Sequence, residues 1–171
     1  MRLQNKVVFI TGAGSGMGRV SALLFAKEGA KIVAADLNLA AAQETVRQVQ
    51  AQGGTALAVP MDVTSEPAVR SSITTAVKTY GKLDVLYNNA GIFPDDDNSV
   101  VNTDLDAYTR VMDVNLKGVY LCCKYGIPKL IRSGGGSVIN IASFVALVGC
   151  TVPQVGYTAS KGGVIALTKS L

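Results

Sequence analysis

Short β-branched runs alternate with helix-period segments along this chain, and that alternation admits few folds. Lys6–Thr11, Lys31–Asp36, Thr55–Pro60, Leu83–Asn88 and Ser137–Ser143 read as strands. Their apolar character is nearly continuous rather than alternating, as strands covered on both faces require. Helices are expected at about Gly16–Glu28, Leu39–Ala51, Glu66–Tyr80 and Asp104–Arg132, with a last one from about Gly156. The pattern is that of repeated βαβ units and a parallel sheet.

The 171 residues are one domain's worth of chain (1–171), enough to bury a core without disulfides or a structural metal. Hydrophobic residues make up 49% and charged ones 16%, yet no apolar run reaches the roughly 18 residues of a membrane span, so a soluble protein is expected. Met1–Lys6 runs straight into Val7-Val8-Phe9-Ile10, which leaves no room for a leader and makes a cytoplasmic setting the expectation. The net charge of +4 is spread out, with no basic cluster or aromatic-interleaved stripe, which argues against nucleic acid as a partner.

Chemistry is limited by what is missing. With no histidine, the commonest general base and metal ligand are gone. Cys122, Cys123 and Cys150 cannot all pair, and the adjacent pair lacks metal-ligand spacing, so buried thiols are expected and no metal site. Asp95-Asp96-Asp97, in the irregular stretch Ile92–Thr103, reads as a solvated acidic loop.

Thr11-Gly12-Ala13-Gly14-Ser15-Gly16-Met17-Gly18 follows the first strand and opens a helix. Such a turn lets backbone N–H groups approach a pyrophosphate at the positive end of the helix dipole. GxGxxG fits in no register; Gly12-xxx-Gly16-x-Gly18 does. Asp36 closes the second strand, where a dinucleotide fold needs a carboxylate for the adenosine ribose; alone it reads equally as a turn or capping residue. A carboxylate there repels a 2′-phosphate, and neither Ser15 nor Leu37 supplies a cation, so NAD is preferred over NADP; Arg19 is the one cation able to reach that region. Asp62-Val63, after the third strand, reads either as an adenine contact, with the carboxylate accepting from N6 and Val63 on the ring face, or as a helix-starting turn.

Tyr157 and Lys161 are four residues apart, hence on one helical face. A phenol ordinarily ionises near pH 10, too high to share a proton at neutral pH, and a nearby cation favours the phenolate. Ser143, fourteen residues earlier, sits at the fifth strand's end, the right edge of the sheet for a donor to a substrate oxygen. Asn115, mid-helix against its propensity, is expected to satisfy something specific.

In order and spacing, Gly12-xxx-Gly16-x-Gly18, Asp62-Val63, Asn88-Asn89-Ala90-Gly91, Asn115, Ser143 and Tyr157-xxx-Lys161 resemble the short-chain dehydrogenase/reductase family over essentially the whole chain. The resemblance implies a doubly wound, Rossmann-type α/β sheet of strand order 3-2-1-4-5 and hydride transfer between NAD(H) and a small carbonyl or alcohol. It implies Tyr157 as proton donor or acceptor and Lys161 easing its ionisation while holding the nicotinamide ribose. Ser143 would polarise the carbonyl, Asn115 would support a water-linked proton path, and Asn89, Ala90 and Gly91 would line the cofactor cleft.

Family members usually continue past the Tyr-xxx-Lys helix for about a third of their length. Without that part, the fifth strand's edge and the apolar helix face Gly162–Leu167 are expected to be open, which implies either a homo-oligomer (dimer or tetramer) or a longer native chain. The alternative function is a nucleotide-binding or interaction protein that keeps the cleft without turning substrate over. A doubly wound methyltransferase would leave Ser143, Tyr157 and Lys161 unexplained. The loop Phe144–Val155 is apolar, which fits a small hydrophobic substrate but also simple packing.

Overall fold

A computed structural model describes residues 1–171. Five parallel strands form one sheet in the order β3-β2-β1-β4-β5: β1 (Val7–Thr11), β2 (Lys31–Asp36), β3 (Thr55–Pro60), β4 (Val85–Asn88) and β5 (Ser137–Asn140). The chain reverses direction of winding between β1 and β4, and the crevice opened there is where open α/β sheets bind ligands. β1 lies at the centre, its register running Val8 to Ile32 on one side and Val8 to Val85 on the other.

Both faces of β1 are buried, which is why its sequence is uninterruptedly apolar. Val7 and Phe9 point into the core under α3 (Glu66–Tyr80), α5 (Gly118–Arg132) and α6 (Val155–Lys169), while Val8 and Ile10 point into the core under α1 (Gly16–Lys27) and α2 (Leu39–Ala51). Each such side chain, fully removed from water, stabilises the fold by about 1.5–3 kcal/mol. At the edge opposite the crevice, buried Asp84 accepts from Val7 N at 2.8 Å and pairs with Lys82 and Lys6. Burial works to raise its pKa, but the Val7 amide and the two lysines outweigh it and hold it below the usual range.

Four expectations are corrected. The helix expected over Asp104–Arg132 is α4 (Leu105–Met112) and α5 separated by a π turn, Asp113–Lys117, where Gly118 N reaches Asp113 O five residues back. The fifth strand stops at Asn140 rather than Ser143, because its partner β4 ends at Asn88, whose carbonyl takes the last bond from Ile141 N at 3.0 Å. The face Gly162–Leu167 is largely covered: Val164 is in the core and Leu167 packs on it, because α6 lies against the sheet. Cys122 and Cys123 are buried, but Cys150 is exposed on the loop before α6, outside any packed element. Burial raises the Cys122 thiol to about 12 and the Cys123 thiol to about 11. No helix is long and apolar enough to cross a membrane.

Candidate active site

A cleft of about 390 Å³ opens at the carboxyl ends of β1, β2, β3 and β4. Its floor is the turn between β1 and α1, with Gly12, Ser15, Gly16 and Met17 on its surface. Ser15 makes no side-chain cap to α1 and the first helical turn carries no acid, so the dipole's positive end is left uncompensated. Gly18 lies behind the turn: a Cβ there would fall inside the Gly12 carbonyl oxygen and sit 2.8 Å from Asn89 Nδ2. Glycine therefore sets how closely α1 approaches the sheet. Asn89 ties the turn to β4's end through bonds from Nδ2 to Thr11 O and Gly12 O at 3.0 and 3.2 Å.

One wall carries Asp36 and Leu37. Asp36 Oδ2 accepts from Gly14 N and Oδ1 from Asn38 N, both at 2.8 Å, so its carboxylate is fixed beside the glycine turn. Gly14 falls outside the Gly12-xxx-Gly16-x-Gly18 spacing, yet its N–H is what holds this acid. Arg19 turns away: its guanidinium donates to Gly14 O and, at 3.1 Å, to Thr45 Oγ1, and it does not line the cleft. Asp62 and Val63 line the next stretch. Asp62 Oδ1 accepts from Thr64 N and Thr64 Oγ1 at 2.8 Å, so it serves the turn before α3 while also facing the cleft. Val63 packs from the core into the wall.

The wall opposite is Asn89, Ala90, Gly91 and Ile92. Here Asn115 has its specific partner. Fully buried in the π turn, it accepts from Ile92 N at 2.7 Å and donates to Ile92 O at 2.9 Å and Ser160 Oγ at 3.2 Å. A regular helix there would point Asn115 elsewhere; the extra residue per turn lets it meet both backbone groups of Ile92. Gly91 is wedged between it and α6, since a Cβ on Gly91 would lie 3.3 Å from Asn115 Oδ1 and 3.5 Å from Lys161 Nζ.

Lys161 is 4% exposed and donates to Ile141 O at 2.7 Å. No carboxylate reaches it, and burial lowers its pKa. Its ammonium lies 5.6 Å from the centre of the Tyr157 ring, one turn back on the same face of α6. Tyr157 is half-buried, its ring 5.1 Å from that of Phe93. Ser143 stands three residues past β5, at the entry to a 3₁₀ turn, Phe144–Ala146, on the cleft's side of the sheet. The backbone thus gathers the cofactor-type wall, Asn115, Lys161 and Tyr157 around Gly91, and no group of three or more potential metal ligands occurs.

The short chain dehydrogenase family model matches residues 6–171. The chain belongs to this family. It is 40% identical over 169 residues to a cyclohexanol dehydrogenase of Acinetobacter sp., covering 99% of this chain and 66% of the relative. It is 41% identical over 169 residues to a mitochondrial borneol dehydrogenase of Lavandula x intermedia, covering 99% of this chain and 63% of the relative. The crystal structure of an NAD⁺-bound xylitol dehydrogenase superposes with a TM-score of 0.95 at 33% identity, over 99% of this chain and 65% of that one. The chain spans about two thirds of the length of the curated relatives it matches.

One expectation about this region fails. Asp97 is not solvated: it is 4% exposed, with Oδ1 accepting from Gly156 N at 2.8 Å and Oδ2 from Tyr157 N at 2.6 Å. Asp96 stays at the surface, paired with Arg110 at 2.7 Å. The three acids look alike in sequence; only the fold distinguishes the one that meets α6.

Proposed function

We propose that this chain forms the cofactor-binding and acid/base part of an NAD(H)-dependent oxidoreductase acting on a small, apolar, cyclic secondary alcohol or the matching ketone. The observation that carries the reading is the packing of Gly91 against Asn115 and Lys161, which joins the nucleotide cleft to the face of α6 bearing Tyr157. The cleft fits a dinucleotide on its own features. It offers uncapped N–H groups at the start of α1, a carboxylate fixed at the end of β2, and Asn89 Oδ1, buried and unpartnered, in its wall. Asp36 and the absence of a cation beside it favour NAD, since Arg19 is spent on Gly14 and Thr45.

When bound, the nicotinamide supplies or accepts the hydride. In the reducing direction Tyr157 gives its phenolic proton to the oxygen that gains charge; in the oxidising direction it takes the proton back. Lys161, its charge buried without a carboxylate partner, places a cation 5.6 Å from the Tyr157 ring centre to offset charge left on the phenol oxygen as its proton leaves, and would donate to a ribose hydroxyl of the cofactor. Ser143 donates to the same substrate oxygen and stabilises the charge developing there. Asn115 holds Ile92 and Ser160 in register, keeping rigid the wall of a water-linked proton path.

The substrate class draws support from two directions. Phe93, Phe144, Leu147 and Val148 leave an exposed apolar border near Tyr157 and Ser143, and two relatives are named for cyclohexanol and borneol. The open edge of β5, the last strand of the sheet, supports pairing with a second copy in a homo-oligomer. The test is a screen of cyclic and open-chain secondary alcohols with NAD⁺ and NADP⁺, run beside Tyr157→Phe. NAD⁺-dependent oxidation of cyclic alcohols, lost in Tyr157→Phe, is expected; turnover surviving in that variant refutes the mechanism.

A further inference from the structure

The helix bearing Tyr157 has no cap of its own. Gln154, the residue before it, makes no capping bond and turns its amide toward Cys150 Sγ and Val152 O. Its first N–H groups are satisfied from another part of the chain: Val155 N donates to Asn98 O at 3.0 Å, and Gly156 N and Tyr157 N donate to the two oxygens of Asp97. Asp97 has no lysine or arginine partner, so these charge-assisted bonds and the positive end of the α6 dipole are what compensate its buried charge.

The loop that supplies this cap starts at the nucleotide cleft. Gly91 lines the cleft, Ile92 is gripped by Asn115, Phe93 lies against the Tyr157 ring, and Asp97 then closes on the backbone of Tyr157 itself. We infer that Asp97 is a positioning residue for Tyr157: its carboxylate fixes the first turn of α6, and with it the phenol, relative to the loop leaving the cofactor cleft. The inference rests on the reading of Tyr157 as the acid/base. Loss of the carboxylate frees two N–H groups and the first helical turn, and a phenol displaced by about an ångström costs on the order of 10- to 100-fold in rate without touching the cleft.

The experiment compares Asp97→Ala, Asp97→Asn and Tyr157→Phe in the full chain, with Ser65→Ala, which removes the ordinary cap of α3, as a control for helix-end destabilisation. Three quantities are read: kcat on the best alcohol of the screen, NADH affinity by calorimetry, and hydrogen exchange of the amides at the start of α6. Asp97→Ala is expected to lower kcat by at least about tenfold and speed exchange at 155–158, with NADH affinity within about twofold. Asp97→Asn, which keeps one acceptor, falls between, and Ser65→Ala leaves kcat and α6 exchange unchanged.

Unchanged kcat or unchanged α6 exchange in Asp97→Ala overturns the inference, as does a parallel loss of NADH affinity, which would mark general damage. If Asp97→Ala does not fold, Asp97→Asn decides on the same readouts; if neither folds, Asp97 is a folding anchor and the inference falls. Active Tyr157→Phe removes the acid/base reading and this inference together. Inactive Tyr157→Phe beside fully active Asp97→Ala removes the inference alone.

Discussion

Adding one methyl group at Gly18 and at Gly16, two residues apart in the same turn, should have opposite kinds of effect. At Gly18 the new Cβ would overlap Gly12 O and lie 2.8 Å from both Gly12 C and Asn89 Nδ2, against an ordinary contact of 3.4 Å or more. Gly12 is backbone and Asn89 is held by two hydrogen bonds, so the relief must come from α1, displaced by more than the roughly 0.6 Å that the 2.8 Å contacts alone require, because Gly12 O lies closer still. Overpacking of this kind costs about 1–3 kcal/mol of stability. Moving the helix end also spoils its N–H bonds to a bound pyrophosphate; two charged-acceptor bonds at about 1.5–3 kcal/mol each set the affinity loss at roughly 100-fold or more.

At Gly16 nothing lies within 4 Å of a Cβ, and the only obstacle is its φ of +48°. A left-handed residue with a side chain costs about 1–2 kcal/mol of stability, but the N–H groups are left in place, so NADH affinity should fall far less than at Gly18. Urea unfolding gives the stabilities and calorimetry with NADH the affinities. If Gly18→Ala binds NADH as wild type does, or if Gly16→Ala is the more damaging of the two, the close approach of α1 to the sheet is not what shapes the cleft.

Three further outcomes are expected. Asp36→Asn keeps the shape and an acceptor for Gly14 N but removes the charge, and should shift the NADH/NADPH affinity ratio toward NADPH by about 10- to 100-fold, measured by paired calorimetric titrations. Lys161→Met should abolish turnover yet leave the protein as stable at pH 7 or more so by on the order of 1 kcal/mol, because it removes a buried, unpaired charge. Since the folded pKa of Lys161 lies below its unfolded value, wild type unfolds with proton uptake as pH rises between the two, so its stability should gain on that of the variant toward pH 10.5 in urea melts. Iodoacetamide at pH 8 should label Cys150 and spare Cys122 and Cys123 in native protein, as peptide mass spectrometry would read; rapid labelling of either buried thiol contradicts their packing.

The sheet was legible because β1 and β2 are covered on both faces and bear that in their composition, so the strand order and the bounds of β1, β2 and β3 agree with the sequence, while β4 starts two residues later and β5 ends three residues earlier than expected. The wall residues from Gly12 to Gly91 were legible for a related reason: each sits at a strand end, and strand ends fall on one edge of a parallel sheet. What escaped depends on partners far along the chain. Asp97 differs from Asp95 and Asp96 only through donors about sixty residues away, and the cleft's hold on Asp36 depends on Gly14. The π turn escaped because apolar spacing in 105–132 is served nearly as well by one continuous helix; only the two backbone groups of Ile92 call for the break.

That π turn makes the middle of the chain intolerant of changes in length in a way its surface loops are not. A helix advances by about 100° per residue, and the π turn absorbs one residue beyond regular winding; deleting one residue within 113–117 would restore that winding with α4 and α5 still in phase, whereas inserting one more would turn one of them through that angle. The deletion therefore costs the hold of Asn115 on Ile92, and the insertion takes the buried stripe of α5, from Val119 to Leu130, off the sheet. Natural variation in this stretch should therefore be confined to substitutions, whereas the exposed tip at Val100 and Val101 can lengthen or shorten freely.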